Sequence, residues 1–403
     1  MQTHNNVRLD YLDAARAIAL LLGIVFHASI SFMPIFIGWA VMDISTNEAV
    51  PIFMLVSHSF RMALFFLIAG FFSHMTFHQQ GAHGFLKSRL VRIGIPLVIG
   101  WFLLRPLLVL CWTMGTQSMR GEVEFKSAFS AAITSLSDLP SGLLIGTHLW
   151  FLYYLLLICA GVLLIRLLLG LLPSLKTRMT QLADKAITWF CHSQFSIVVL
   201  CLPTAACLWF MQHWGIDTPD KSLVPLIPVA LLYAGFFLFG WLLQRQSSLM
   251  AGFSELTWLK FILCVISILV TLKLSAFEMQ LSHPNFMLFK AGYMLSYALM
   301  MWLLVSISIG LCKRVFTAPN KYIRYLADSS YWLYLIHLPL VIGLQIAFAE
   351  LAMYWLIKLV CIVAITILIS ILVYDGFVRS TFIGATLNGK RQSRLIFNLD
   401  KQH

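Results

Sequence analysis

Long apolar stretches separated by short polar ones run through the whole chain, and this alternation is its dominant pattern. A helix needs ~20 predominantly apolar residues to cross the hydrocarbon of a bilayer. Ten stretches qualify, at 11–33, 50–76, 93–113, 148–170, 195–213, 223–243, 258–277, 286–311, 331–348 and 351–374. The pattern predicts an all-α polytopic integral membrane protein with about ten transmembrane helices. Pro96, Pro106, Pro225 and Pro228 fall within two of these stretches and predict kinks, which neighbouring helices in a membrane can tolerate. Two connections, 114–147 and 171–194, carry apolar residues at helical spacing and predict helices lying on the membrane surface. No internal repeat, heptad run or soluble domain is visible. The expectation is one transmembrane domain over 1–403, with an N-terminal tail at 1–10 and a C-terminal tail at 375–403.

Composition strengthens the reading. Hydrophobic residues make up 60% of the chain and charged residues 11%, and the mean hydropathy is +0.87. A net charge of +12 in a soluble chain would point to nucleic acid, but here the positions of the charges point to the membrane. Alternate connections and the tails carry seventeen basic residues: Arg8; Lys87, Arg89 and Arg92; Lys176, Arg178 and Lys185; Arg245; Lys313, Arg314, Lys321 and Arg324; Arg379, Lys390, Arg391, Arg394 and Lys401. The other set carries only Arg120, Lys126, Lys221 and Lys273. The excess predicts that both termini are cytoplasmic, with no nucleic-acid partner. MQTHNNVRLD leads into the first span without a small-residue cleavage site, so that span is expected to stay. The eight cysteines form no CxxC pair and read as small core residues, with no metal site.

Ionisable groups inside spans are costly and usually functional. The first span, YLDAARAIALLLGIVFHASISFM, carries Asp13, Arg16 and His27. Eleven steps of ~100° separate Arg16 from His27, three turns plus ~20°, so both fall on one helix face ~16 Å apart. On the second span His58 and Arg61 reach the depth of His27, which predicts one outer cavity with Ser31, Ser57 and Ser59 nearby. Arg166, Lys260 and Lys358 lie near span ends and are expected to snorkel.

The inner end has its own basic group. Arg89 and Arg92 in KSRLVRIGIP share a helix face at the mouth where Arg16 enters. They read either as topological anchors or as a phosphate site, since arginine forks suit phosphate. Tyr331, Tyr334 and His337 repeat every three residues on the ninth span and are expected to face the same inner half. His148 and Trp150, in THLWFLYY, read as an interfacial aromatic belt or as a sugar-stacking platform.

At these residues the chain resembles the membrane-bound acyltransferase-3 family. The segments LDAARAIALLLGIVFHAS, HSFRMALFFLIAGFFS, KSRLVRIGIP, HLWFL and SSYWLYLIHLPL carry the resemblance in order over essentially the whole chain. Its signals are the Arg-x10-His of Arg16 and His27, the Arg-x-x-Arg of Arg89 and Arg92, and FF-x-I-x-G from Phe65 to Gly70. HSFRM and HLWFL favour the branch that modifies osmoregulated periplasmic glucans. Ala69 and Ala15 depart from the family's usual serine and leucine or isoleucine without removing a titratable group.

The resemblance implies an acyl-CoA-dependent succinyltransferase of the bacterial inner membrane. It would take cytoplasmic succinyl-CoA as donor and a periplasmic glucan as acceptor. On that reading His27 is the general base or acyl carrier, and Asp13 orients Arg16. His58 is a second base or acyl-oxygen positioner, and Arg61 pairs with the succinyl carboxylate. His148 and Trp150 bind sugar, while Arg89, Arg92, Tyr331, Tyr334 and His337 hold the donor. An exporter of a polysaccharide or organic anion is the alternative. The paired broken helices of many transporters are not visible. A structural membrane subunit would not need cationic groups at both depths.

Overall fold

The structure is a computed structural model that describes residues 10–119, 121–137, 148–193, 196–220, 222–318 and 320–397. Arg8, Arg120, Lys221, Lys401 and the tail at 1–9 lie outside the described residues. Among those described there is no strand. The helices are α1 Asp10–Ser29, α2 Ala49–Arg89, α3 Ile95–Ser118, α4 Phe125–Thr134, α5 Trp150–Gly170, α6 Pro173–His192 and α7 Ser196–Trp209. They continue with α8 Ile227–Arg245, α9 Leu249–Phe253, α10 Trp258–Ser275, α11 Phe286–Val315, α12 Lys321–Phe348, α13 Trp355–Val373 and α14 Phe382–Asn388.

Among the described residues eight helical stretches are long and apolar enough to cross a membrane, or nine if α6 and α7 are taken as one bent span. One of the eight, Ala49–Ser118, is 70 residues long and doubles back. Arg89 donates to Thr76 Oγ1 at 3.2 Å, although thirteen residues of straight helix would part them by ~20 Å. The reversal falls at Gly81, whose φ of 68° lies in the left-handed region open to glycine. The expected spans 50–76 and 93–113 are the two arms of this hairpin. α7, at 14 residues, is shorter than the span expected over 195–213.

The prolines divide. Pro225 precedes α8, and Pro228 occupies its first turn, where the missing N–H has no helical partner to lose. Pro106 is inside α3, and Pro96 lies just past the π-helical stretch Leu90–Gly94 through which α2 runs on into α3. The connections expected to hold surface helices form α4 and α6, and α6 is largely exposed.

α1 packs through small side chains, with Ala14, Ala15, Ala17, Ala19 and Ala28 at most 1% exposed. Small side chains let α2, α11, α12 and α13 approach it closely. α2 and α8 approach closer still. A Cβ on Gly70 would overlap the Phe237 carbonyl, and one on Gly240 the Leu67 carbonyl. The glycine of FF-x-I-x-G is therefore a helix-contact residue.

Two of the three residues expected to snorkel do otherwise. Lys358 is fully buried and pairs with Asp43 at 2.7 Å, because the connection from Met33 to Glu48 folds back into the bundle and brings the carboxylate to it. Lys260 turns inward and donates to the carbonyls of Phe253 and Glu255, both at 2.8 Å. Arg166 lies over the Phe77 ring at 4.3 Å.

The described part of the expected C-terminal tail is folded. Asp375, completely buried, accepts from Tyr325 Oη and from the backbone N–H groups of Leu395, Ile396 and Phe397. Asn388 donates to the Asp328 carbonyl on α12. Arg324, also on α12, pairs with Asp10 at 3.5 Å, so this segment and the start of α1 share one end of the bundle.

Candidate active site

A cavity of about 360 Å³ runs through the bundle between α1, α2, α3, α5 and α12. One end is lined by Arg89, Arg92, Leu387 and Asn388, and the other by Trp39, Trp112, Thr218 and Asp220. Arg16 and His27 both line it, as their shared helix face requires.

Every expected site residue except Asp13 faces this cavity. Asp13 stands one turn behind Arg16 and pairs with it at 3.2 Å, while Arg16 Nη2 also donates to the Ala327 carbonyl on α12. Ser31, Ser57 and Ser59 do not line it. The hydroxyls of Ser57 and Ser59 bond back to carbonyls of their own helix.

At the first end Tyr331 Oη donates to the Arg92 carbonyl at 2.6 Å and holds the π-helical junction of α2 and α3 against α12. Gly389, just past α14, lies against the Arg92 guanidinium. Arg89 lies over the Phe85 ring at 5.0 Å.

Midway, three imidazoles from three parts of the chain meet. His337 lies 5.3 Å from His27 and 5.1 Å from His148, ring centre to ring centre. His337 does not join the inner arginines as expected. α12 begins at Lys321, ten residues before the predicted start, so His337 is sixteen residues into it, ~24 Å along the axis. Tyr334 goes with it, donating to the His148 carbonyl at 2.7 Å. His148 and Trp150 are both 7% exposed and form no lipid-facing belt.

Hydrogen bonds fix two tautomers. A carbonyl can only accept, so His337 Nδ1 carries hydrogen toward Tyr334 O at 2.7 Å, and His148 Nε2 toward Leu335 O at 3.0 Å. In the neutral rings His337 Nε2 and His148 Nδ1 are then lone-pair acceptors, and neither is engaged by the protein. His27 Nδ1, Arg16 Nε, Arg61 Nη1 and Arg89 Nε are likewise buried without a hydrogen-bond partner. Buried polar atoms are normally paired, so these six leave donors and acceptors lining the cavity open to water or a ligand.

The other end is an aromatic and polar mouth. Arg61 lies 4.4 Å over the Phe26 ring, and His58 stacks on that ring at 5.6 Å. Trp39 stacks on His27 at 5.8 Å and meets Trp112 edge-on at 5.0 Å. Gln345 secures this arrangement, accepting from Trp39 Nε1 at 2.9 Å and donating to the His27 carbonyl at 2.9 Å. Trp39, Trp112, Gln345, Thr218, Asp220 and Asn388 were not legible as site residues, since they lie in loops or isolated positions without a motif. Among the described residues no group of three or more His, Cys, Asp or Glu is placed to hold a metal ion.

These features define a multi-pass helical membrane protein with a polar, imidazole-lined cavity through its centre. The chain belongs to the acyltransferase-3 family, whose model, described as an acyltransferase domain, matches residues 9–375. It is thus a membrane acyltransferase. Among curated proteins it is similar to glucans biosynthesis protein C of Escherichia coli strain K12, at 24% identity over 94% of each chain. The protein of that name in Escherichia coli O157:H7 matches at the same identity and coverage. No solved structure matches.

Proposed function

We propose that this acyltransferase moves a succinyl group from cytoplasmic succinyl-CoA to glucose hydroxyls of periplasmic glucans, in the bacterial inner membrane. The observation that carries the reading is the single cavity joining the arginine end, Arg89 and Arg92, to the imidazoles and then to the tryptophan mouth. A donor with phosphates at one face and a sugar acceptor at the other require that order of groups. The similarity to glucans biosynthesis protein C supports the glucan acceptor.

In this reading the donor's phosphates meet Arg89 and Arg92. Its pantetheine arm covers the ~16 Å from Arg16 to His27. His27 takes the proton of the acceptor hydroxyl, whose oxygen attacks the thioester carbonyl carbon. The carbon–sulfur bond breaks, and the coenzyme thiolate leaves toward the cytoplasm and is protonated. Arg61 pairs with the distal succinyl carboxylate, which needs a partner in low dielectric. His58 positions the acyl oxygen. Trp150 and His148 flank the substrate, and Asp13 holds Arg16 in the donor channel.

The through-going cavity also suits an exporter, and one experiment separates the two readings. Purified protein in lipid nanodiscs is incubated with succinyl-CoA, with and without glucan. Glucan-dependent thiol release that His27→Ala abolishes supports the enzyme. In proteoliposomes, glucan flux without thioester cleavage would replace this reading with the exporter.

A further inference from the structure

The tryptophan mouth is not explained by acyl transfer at His27 alone. Trp39 and Trp112 stand edge to face, with ring centroids 5.0 Å apart, where the cavity opens. Both are only partly buried, so indole surface remains for a ligand. Trp39 is held from behind by Gln345, and its connection is anchored by the buried Asp43–Lys358 pair. A loop tethered this firmly presents a rigid aromatic wall. From the other side the connection between α7 and α8 brings in Thr218 and Asp220, and Thr218 Oγ1 lies 3.3 Å from His58 Nε2.

Indole faces pack against the apolar C–H face of a pyranose, while hydroxyl and carboxylate groups accept its ring hydroxyls. A carboxylate and a hydroxyl beside tryptophans at the mouth suit the hydroxyls and C–H face of a neutral polyol ring. We propose that Trp39, Trp112, Thr218 and Asp220 form a carbohydrate subsite. It holds a neighbouring hexose of the acceptor chain while the hydroxyl to be acylated reaches His27. This deepens the function proposed above and rests on it.

The test is equilibrium binding to the full-length protein in nanodiscs. Purified periplasmic glucans probe the mouth, and succinyl-CoA, separately, probes the donor end. Asp220→Asn and Trp112→Phe should each weaken glucan binding about tenfold, the loss of one charge-assisted hydrogen bond or stacking face. Both should keep the wild-type affinity for succinyl-CoA, which reports an intact bundle. Thr218→Val, at an exposed position, should weaken glucan binding in the same direction. Unchanged glucan affinity in all three variants overturns the subsite. So does a parallel loss of both affinities, which would make these residues supports of the fold. If wild-type protein binds succinyl-CoA but no glucan, the acceptor in the proposed function fails instead, and the two failures are distinct.

Discussion

His337 stands against His27, with its Nε2 left without a partner. The ring's Nδ1–H is committed to the Tyr334 carbonyl at 2.7 Å, its Nε2 has no partner within the chain, and the two rings lie 5.3 Å apart. A base is more effective when a second group fixes its orientation, and if His27 is the base proposed above, the unengaged Nε2 of His337 would be the group to do so. His337→Phe keeps the ring shape and removes the acceptor. It should lower kcat by about 10²-fold, within the range for acid–base groups, and leave the KM for acyl-CoA unchanged. Steady-state kinetics with varied donor checks this, and a rise in donor KM at constant kcat would return His337 to donor binding.

The buried pair Asp43–Lys358 is a second expected weak point. Breaking one partner of a buried ion pair strands the other charge and costs about 3–5 kcal/mol. Lys358→Met should therefore lower the thermal midpoint in detergent and loosen the Met33–Glu48 connection that carries Trp39. The double variant Lys358→Met with Asp43→Leu removes both charges and should recover most of the midpoint. Equal melting of single and double variants would show that the pair does not anchor the loop.

The close approach of α2 and α8 gives a prediction independent of catalysis. Cβ atoms at Gly70 and Gly240 would meet backbone carbonyls, which cannot swing aside as a flexible side chain can. Gly70→Ala and Gly240→Ala should each cost about 1–3 kcal/mol, the usual penalty of overpacking. Folded yield and thermal midpoint measure the loss, and wild-type values for both would refute the packing.

Much of the architecture was legible because a bilayer imposes a length and a polarity on every span. The Arg16 and His27 stripe followed from helical geometry alone, and both residues line the cavity. What depends on contacts distant in sequence was hidden. The inward fold of the α1–α2 connection rests on Asp43 meeting Lys358, 315 residues away, and no local pattern reports such a pairing. His337 was misgrouped because the polar first ten residues of α12 masked where the helix begins. The segment after Asp375 looked like a tail because its anchor is one buried carboxylate gathering three backbone N–H groups.

That folded segment leads to the last prediction. Gly389 closes α14 with φ 81°, a left-handed conformation in which a Cβ is strained, and its Cα faces the Arg92 guanidinium. A side chain there must displace Arg92 or the cap itself. If Arg92 holds the donor's phosphates as proposed, Gly389→Ala should raise the KM for acyl-CoA several-fold while kcat at saturating donor stays near wild type. Arg92→Ala should do the same through loss of the cation. If both act on one contact, the double variant will be no worse than Arg92→Ala alone, since changes that remove the same interaction do not add. Donor-dependent kinetics on the three variants decide it. Additive effects would place the α14 segment's influence elsewhere than on Arg92, and an unchanged KM in Arg92→Ala would make Arg92 a topological anchor.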